Sequence, residues 1–182
     1  MSADVGRPRW GLFLGLAAGV VVLDQLSKAW LRSILAPDQR LEIIGDLVRF
    51  IHAQNSGALF GLFRDQAYLF ALVSIGVVAL IVWYHRSSGR NTWLSVALGL
   101  LLGGALGNMI DRFRFGYVTD WVDVGLGDLR FYTFNVADAA ISCAILLLIV
   151  LALWPSKPAS VPTATSGPTS PTTAADPAEA DA

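Results

Sequence analysis

Cysteine occurs once in this 182-residue chain and histidine twice. Cys143 has no partner for an intramolecular disulfide, and its place inside an apolar run reads as a small buried side chain. No His/Cys/Glu cluster has metal-ligand spacing. His52 falls in a loop and His85 among basic residues, both read as solvated, so no metal and no cofactor is implied. Charge is scarce as well: 15% of residues are charged and 54% hydrophobic, where a soluble domain carries about a quarter charged residues. The chain is therefore read as bilayer-embedded. A net charge of -1 without a basic stripe between aromatics argues against a nucleic-acid partner. Internal repeats, which would favour a transporter, are absent.

What the chain does have is four apolar runs. The first, at about residues 10–31, follows Arg7 and Arg9 and would reach roughly 30 Å as a helix. Its basic start, apolar centre and Ser27-Lys28-Ala29 also resemble a cleaved leader, but the lysine between the small residues and the aspartate before them fit a continuing helix better. The other runs lie at about 68–84, 93–110 and 136–154. The third is rich in glycine (Gly99, Gly103, Gly104, Gly107), which lets helices approach closely in lipid. These features predict an all-α membrane protein of four transmembrane helices, with residues 1–9 as a cytoplasmic N-terminus. Loops 33–67 and 111–133 fall between spans. In the first loop, two short β-branched pieces flank Gly45-Asp46, which predicts a small extracytoplasmic β-rich element between the first two spans. Asn55-Ser56-Gly57-Ala58 reads as a turn, and the apolar residues after it could form a lid. Residues 155–182 are Pro, Ala, Ser and Thr with a few acids and are read as a disordered tail.

Polar groups collect at one depth. Counted along each helix from its expected cytoplasmic end, Asp24, Asn108 and Asp138 each lie about 20–25 Å up. Intramembrane ionisable groups are costly and mark functional sites. Asp120 and Asp138, from different segments, form the candidate pair: two close carboxylates cannot both ionise cheaply, so they share a proton and can activate water. Asp24 has Lys28 one turn away on its own face, which favours a structural role. Asp111 adjoins Arg112 in sequence but does not face it on a helix; Arg112 could anchor the loop carrying Asp120 or donate to a substrate carbonyl. These residues alone leave catalytic and structural roles open. A proton relay would use the same acids but stagger them through the full depth, and a purely structural subunit would tolerate their replacement.

The segments DQLSK (24–28), NSGALF (55–60), GGALGNMIDR (103–112), GYVTDW (116–121) and FNVADAAI (134–141) together resemble lipoprotein signal peptidase, the bacterial signal peptidase II. The resemblance covers roughly residues 10–154. It implies a four-span aspartic endopeptidase of the inner membrane that removes signal peptides from diacylglyceryl-modified prolipoproteins, cutting before the lipidated cysteine. It also implies that Asp120 and Asp138 are catalytic, and that Asp24, Lys28, Asn55, Asn108, Arg112 and Asn135 support the site or hold substrate, with Asp111 counted among them. Lipid-modified prolipoproteins and membrane lipids are the implied partners, and a cyclic peptide antibiotic the implied inhibitor. Trp121 and Leu59 depart from the usual family residues and would reshape the pocket without touching the acids.

Arg7, Arg9, Arg86, Arg90 and Lys157 all fall on one side of a four-span chain, so both termini are expected in the cytoplasm. In a Cys143→Ser background, a cysteine placed by Ser88→Cys should be shielded from an impermeant thiol reagent in intact cells, and one placed by Leu126→Cys should be labelled. The reverse pattern would invert the orientation.

Overall fold

The computed structural model describes residues 7–56 and 67–154. The expected lid after Asn55 and the expected disordered tail lie outside the described residues. The elements run α1 (Trp10–Ile34), β1 (Arg40–Ile44), β2 (Val48–Asn55), α2 (Ala67–Ser88), α3 (Thr92–Phe115), β3 (Val118–Leu126), β4 (Leu129–Arg130) and α4 (Val136–Leu153). Among the described residues four helices are long and apolar enough to cross a membrane. Their outward faces expose large apolar side chains, among them Leu23, Leu26, Leu72, Leu80 and Leu146, which suits hydrocarbon as the surrounding solvent.

Lipid tails are as apolar as leucine, so burial alone cannot drive such helices together; close packing and internal polar contacts must do it. Helix α3 packs against α1, α2 and α4, and its glycines make that possible. A Cβ on Gly103 would stand 2.6 Å from the Cβ of Val20 on α1, and one on Gly104 would stand 2.5 Å from the Ala137 carbonyl oxygen on α4. The interior divides along the helices. Near one end Phe13, Ala17, Ile81, Leu98 and Leu102 form an apolar cluster; further along, Asp24, Lys28, Asn108 and Asp111 are buried.

Helix α3 begins at Asn91, whose side chain accepts from Trp93 N and Leu94 N at 2.8 and 3.2 Å. It continues beyond the apolar run ending at about residue 110 and stops where Gly116 takes the left-handed conformation at φ 75°. Asp111 and Arg112, expected in the second loop, therefore lie on the helix. The apolar run measures what hydrocarbon favours, whereas the helix ends where the backbone can turn.

The extramembrane β element is built from both loops. A hairpin of β1 and β2 turns at Gly45, φ 47°, as the first loop predicted. The second loop adds β3 and β4, giving an antiparallel sheet in the order β1-β2-β3-β4. The alternation Val118, Val122, Val124 in the second loop carried that signal, obscured by the interleaved charges of Asp120 and Asp123.

Expectations for three residues are corrected. His52 and His85 are buried. The Nδ1 atom of His52 lies 2.9 Å from the Leu35 carbonyl oxygen, and the His85 ring stacks on Phe13 with centroids 4.0 Å apart. Neighbouring charge in sequence did not reveal that helix α2 turns His85 inward. Cys143 is instead exposed on α4, because an apolar side chain needs no protein cover in lipid.

Gly104→Leu should separate α3 from α4 and, through Ala137, displace the first turn of α4. Overpacking of this kind costs about 1–3 kcal/mol. The expected outcome is a lower melting midpoint in detergent, with the exposed Gly76→Leu control, where a Cβ meets nothing within 4 Å, close to wild type.

Candidate active site

A buried ammonium sits at the polar end of the bundle. Lys28 Nζ contacts Asp24 Oδ2 at 2.8 Å, Asp111 Oδ2 at 3.1 Å and Asn108 Oδ1 at 3.0 Å. A lysine has three N–H donors and no acceptor, so its capacity is fully used. Gln25 Nε2 bridges the same two acids, at 3.2 Å from Asp24 Oδ2 and 3.1 Å from Asp111 Oδ1. Each acid then reaches a different element. Asp24 Oδ1 accepts from Ala137 N in the first turn of α4 at 3.0 Å. Asp111 Oδ2 accepts from Thr119 N on β3 at 3.1 Å. The ion cluster thus grips the residue before each candidate catalytic aspartate.

The donor-only lysine also orients the amides. Asn108 must turn Oδ1 toward Lys28, which directs its Nδ2 to Asp138 Oδ1 at 2.7 Å. At Asn135, the N-cap of α4, the side-chain oxygen accepts from Asp138 N at 3.0 Å, while Asp138 Oδ2 accepts from Asn135 N at 3.2 Å. This reciprocal capping box fixes the Asp138 carboxylate. With its oxygen so committed, Asn135 sends Nδ2 to Asp120 Oδ1 at 2.7 Å. One asparagine therefore joins the two carboxyl groups.

Two irregularities in the sheet bring Asp120 to this place. Between the pairs Phe50↔Val122 and Ala53↔Asp120, β2 takes three steps while β3 takes two. The extra residue reverses the side-chain alternation of β2 relative to β3. Asn55 comes onto the Asp120 face and donates from Nδ2 to Asp120 Oδ2 at 3.1 Å. The second irregularity lies opposite Phe134, whose carbonyl accepts from both Trp121 N and Val122 N at 3.0 and 2.8 Å. It ties β3 to the residue just before the cap of α4.

Asp120 is 2% exposed. Burial, then repulsion from Asp138, pushes its carboxyl from 3.8 up to about 7, against the lowering effect of the Asn55 and Asn135 hydrogen bonds. Arg112 is close enough to act on both aspartates. Its Nη1 donates to Asn108 O at 3.3 Å, and its buried Nε has no hydrogen-bond partner among the described residues. It does not anchor the strand carrying Asp120; Asp111 does so, helped by Arg32, which donates to Thr119 Oγ1 at 2.8 Å.

All the polar residues singled out from sequence, Asp24, Lys28, Asn55, Asn108, Asp111, Arg112, Asp120, Asn135 and Asp138, fall in this one cluster. Asn55 ends strand β2 rather than merely forming a turn. Trp121 packs edge-on against Phe50 with centroids 5.0 Å apart. Three participants were missed. Gln25 is next to Asp24 in sequence and so gave no face-sharing signal. Thr119 contributes its backbone N–H, which no side-chain pattern reports. Tyr132, whose hydroxyl accepts from Asn55 Nδ2, looked like one more loop aromatic. No group of three or more His, Cys, Asp or Glu suited to a metal occurs among the described residues.

A sequence profile of signal peptidase (SPase) II matches residues 16–154, a span that contains the whole cluster. The chain belongs to the signal peptidase II family. A lipoprotein signal peptidase of Pseudomonas aeruginosa (strain UCBPP-PA14) is 42% identical over 149 residues, covering 79% of this chain and 86% of that protein. One from Syntrophomonas wolfei subsp. wolfei is 37% identical over 148 residues, covering 81% and 94%. Two solved structures of a bacterial membrane enzyme, obtained by the in meso method at 2.3 and 1.9 Å, superpose with a TM-score of 0.75 at 27% identity. They cover 81% and 85% of this chain and 91% and 100% of their own. As a signal peptidase II family member with four membrane-spanning helices, the chain is a multi-pass membrane protein and an aspartic-type peptidase.

Asp24→Asn would leave Lys28 with one anionic neighbour and would weaken the grip on Ala137 N. Removing one partner of a buried ion pair costs about 3–5 kcal/mol. The expected outcome is a markedly lower melting midpoint in detergent, with folding lost before chemistry; an unchanged midpoint would deny the cluster its structural role.

Proposed function

We propose that the chain is a membrane-embedded endopeptidase that removes signal peptides from diacylglyceryl-modified prolipoproteins before the lipidated cysteine, with Asp120 and Asp138 as the catalytic dyad. The observation carrying this reading is the pair of carboxyl groups joined through Asn135, whose Nδ2 donates to Asp120 and whose backbone N donates to Asp138, at the polar end of a membrane bundle. The residues 10–154 form the catalytic unit, the tail from 155 contributes nothing to the site, and both termini face the cytoplasm. The basic end of the bundle supports that orientation: Arg9 meets the α2–α3 connection through Arg9 N to Gly89 O at 2.9 Å and Arg9 Nε to Arg90 O at 3.2 Å.

In the proposed reaction Asp120 holds the shared proton and Asp138 the charge. Asp138 takes a proton from water as the oxygen attacks the scissile carbonyl carbon, and Asp120 gives its proton to the carbonyl oxygen. The tetrahedral diol then collapses: Asp138 returns its proton to the departing amine, and a diol hydroxyl re-protonates Asp120. Arg112, whose buried Nε has no hydrogen-bond partner among the described residues, holds a substrate carbonyl. The substrate arrives with its acyl chains in hydrocarbon and its scissile bond at the surface, where the dyad lies; the chains rest against the outward helix faces. A cyclic peptide antibiotic of the kind implied by the family resemblance would compete for the same place.

Asp120→Asn and Asp138→Asn should each lower turnover of a lipidated lipobox peptide by several orders of magnitude, with the double variant scarcely worse, because the pair acts as a unit. Near-normal cleavage by either folded single variant would sink the dyad. The pH profile has a definite sign. The folded chain binds the Asp120 proton more tightly than an unfolded chain does, so stability from this group is full below about 4 and is lost as pH rises through about 7. Activity, which needs one proton on the pair, should likewise fall on the alkaline side of an upper limb starting near 7.

A further inference from the structure

The polar end of the bundle carries a second basic group of residues that the proposed reaction does not use. Arg32 lies in the last turn of α1 and Arg114 in the last turn of α3. Both guanidinium groups stand against the ring of Phe115, their central carbons 4.6 and 5.1 Å from its centroid. The two charges are no further apart than the sum of those distances. That is within one screening length of 0.1 M salt, about 10 Å, so they repel each other.

The protein offers little to offset them. Among the described residues every ion pair uses Lys28, Arg49 or Arg130 as its cation. Arg32 spends one donor, Nη1, on Thr119 Oγ1 at 2.8 Å. Arg114 makes no hydrogen bond to a described residue and has the Phe115 ring as its contact. Asp111 also reaches Thr119, but through the backbone N–H, and its carboxylate is already shared with Lys28. The C-terminal ends of α1 and α3 draw cations, and so does the ring face. Neither supplies an acceptor for the remaining guanidinium N–H groups.

The setting says which acceptor fits. Trp30 and Ile34 on α1 and Phe113 on α3 are exposed in the same final turns. Exposed aromatic and aliphatic side chains next to arginine heads mark the boundary between hydrocarbon and headgroups. The anion present at that level is the lipid phosphate, whose oxygens a guanidinium matches with two parallel N–H bonds. We propose that Arg32 and Arg114, gathered on the Phe115 ring, bind the headgroup phosphate of an anionic phospholipid. Its acyl chains lie along the outward faces of α1 and α3. A zwitterionic lipid fits less well, because its ammonium would meet two like charges. The proposal does not depend on the dyad reading, although Arg32 links the lipid to Thr119, the residue before Asp120.

The test uses the full chain in a nonionic detergent, with bound lipid counted by native mass spectrometry. Dioctanoyl phosphatidylglycerol and dioctanoyl phosphatidylcholine are titrated separately, and inorganic phosphate is added as a competitor. One phosphatidylglycerol should bind in preference to phosphatidylcholine. Arg114→Gln should weaken it about fivefold, the share of one basic residue at an anionic surface, and the double variant with Arg32→Gln about twenty-five-fold. Arg114→Lys keeps the charge but loses the two-pronged match, so it should fall between wild type and Arg114→Gln. Arg86→Gln, at the other end of the bundle, should change nothing. Equal binding of the two lipids, or undiminished binding in Arg114→Gln, overturns the proposal. Displacement of the lipid by inorganic phosphate overturns it as well, since the site would then take a free anion. Arg32→Gln also loses the bond to Thr119; if the double variant melts early, Arg114→Gln decides alone.

Discussion

A charged nitrogen enclosed by protein atoms sets the terms for this molecule. Lys28 is fully buried, and the desolvation cost of an ammonium in such a place is several kcal/mol. It is tolerable only because Asp24, Asp111 and Asn108 occupy all three donors. Those partners come from α1 and α3, and their remaining oxygens hold α4 and β3. The demand for satisfied polar groups in a low-dielectric interior thus assembles four elements around one point. In lipid, where apolar burial between helices gives little drive, this cluster and the glycine contacts of α3 replace the hydrophobic core of a soluble enzyme.

Order then spreads outward from that nitrogen by elimination. A lysine cannot accept, so the Asn108 amide has a single sensible orientation. A capping oxygen cannot donate, so the Asn135 amide has one too. The two asparagines carry this information to Asp138 and Asp120 without any net charge of their own. They supply donors to the carboxyl groups while adding no cation that would simply strip the proton from the pair. Arg112 is near enough to act on both acids without pairing closely with either, and its buried Nε has no hydrogen-bond partner among the described residues.

Helix number and the depth of the polar layer were legible because a bilayer enforces long uninterrupted apolar runs, and Asp24, Asn108 and Asp138 interrupt three of them at one level. The Asp24–Lys28 pairing was legible from helical spacing. Other features depended on tertiary register. The face of the sheet on which Asn55 lies is set by an extra residue between Phe50 and Ala53, and a bulge of that kind leaves no composition signal. The third acceptor of Lys28, Asp111, came from a different helix, and its sequence neighbour Arg112, which it does not face, gave no clue to that partner. His85 and Cys143 exchanged their expected environments because sequence tells how apolar a segment is, and not which way its helix is rotated.

The capping box at the start of α4 has a consequence for how this fold can be altered. In many enzymes the reactive group is held against the preference of the backbone around it, and removing it releases strain, so stability is gained as function is lost. Here the carboxylate of Asp138 closes the first turn of its own helix by accepting from Asn135 N. The group that would do chemistry is also a fastening of the scaffold. Loss of that acid loosens the helix end it belongs to, and selection for a sturdier protein and selection for an active one act on the residue in the same direction.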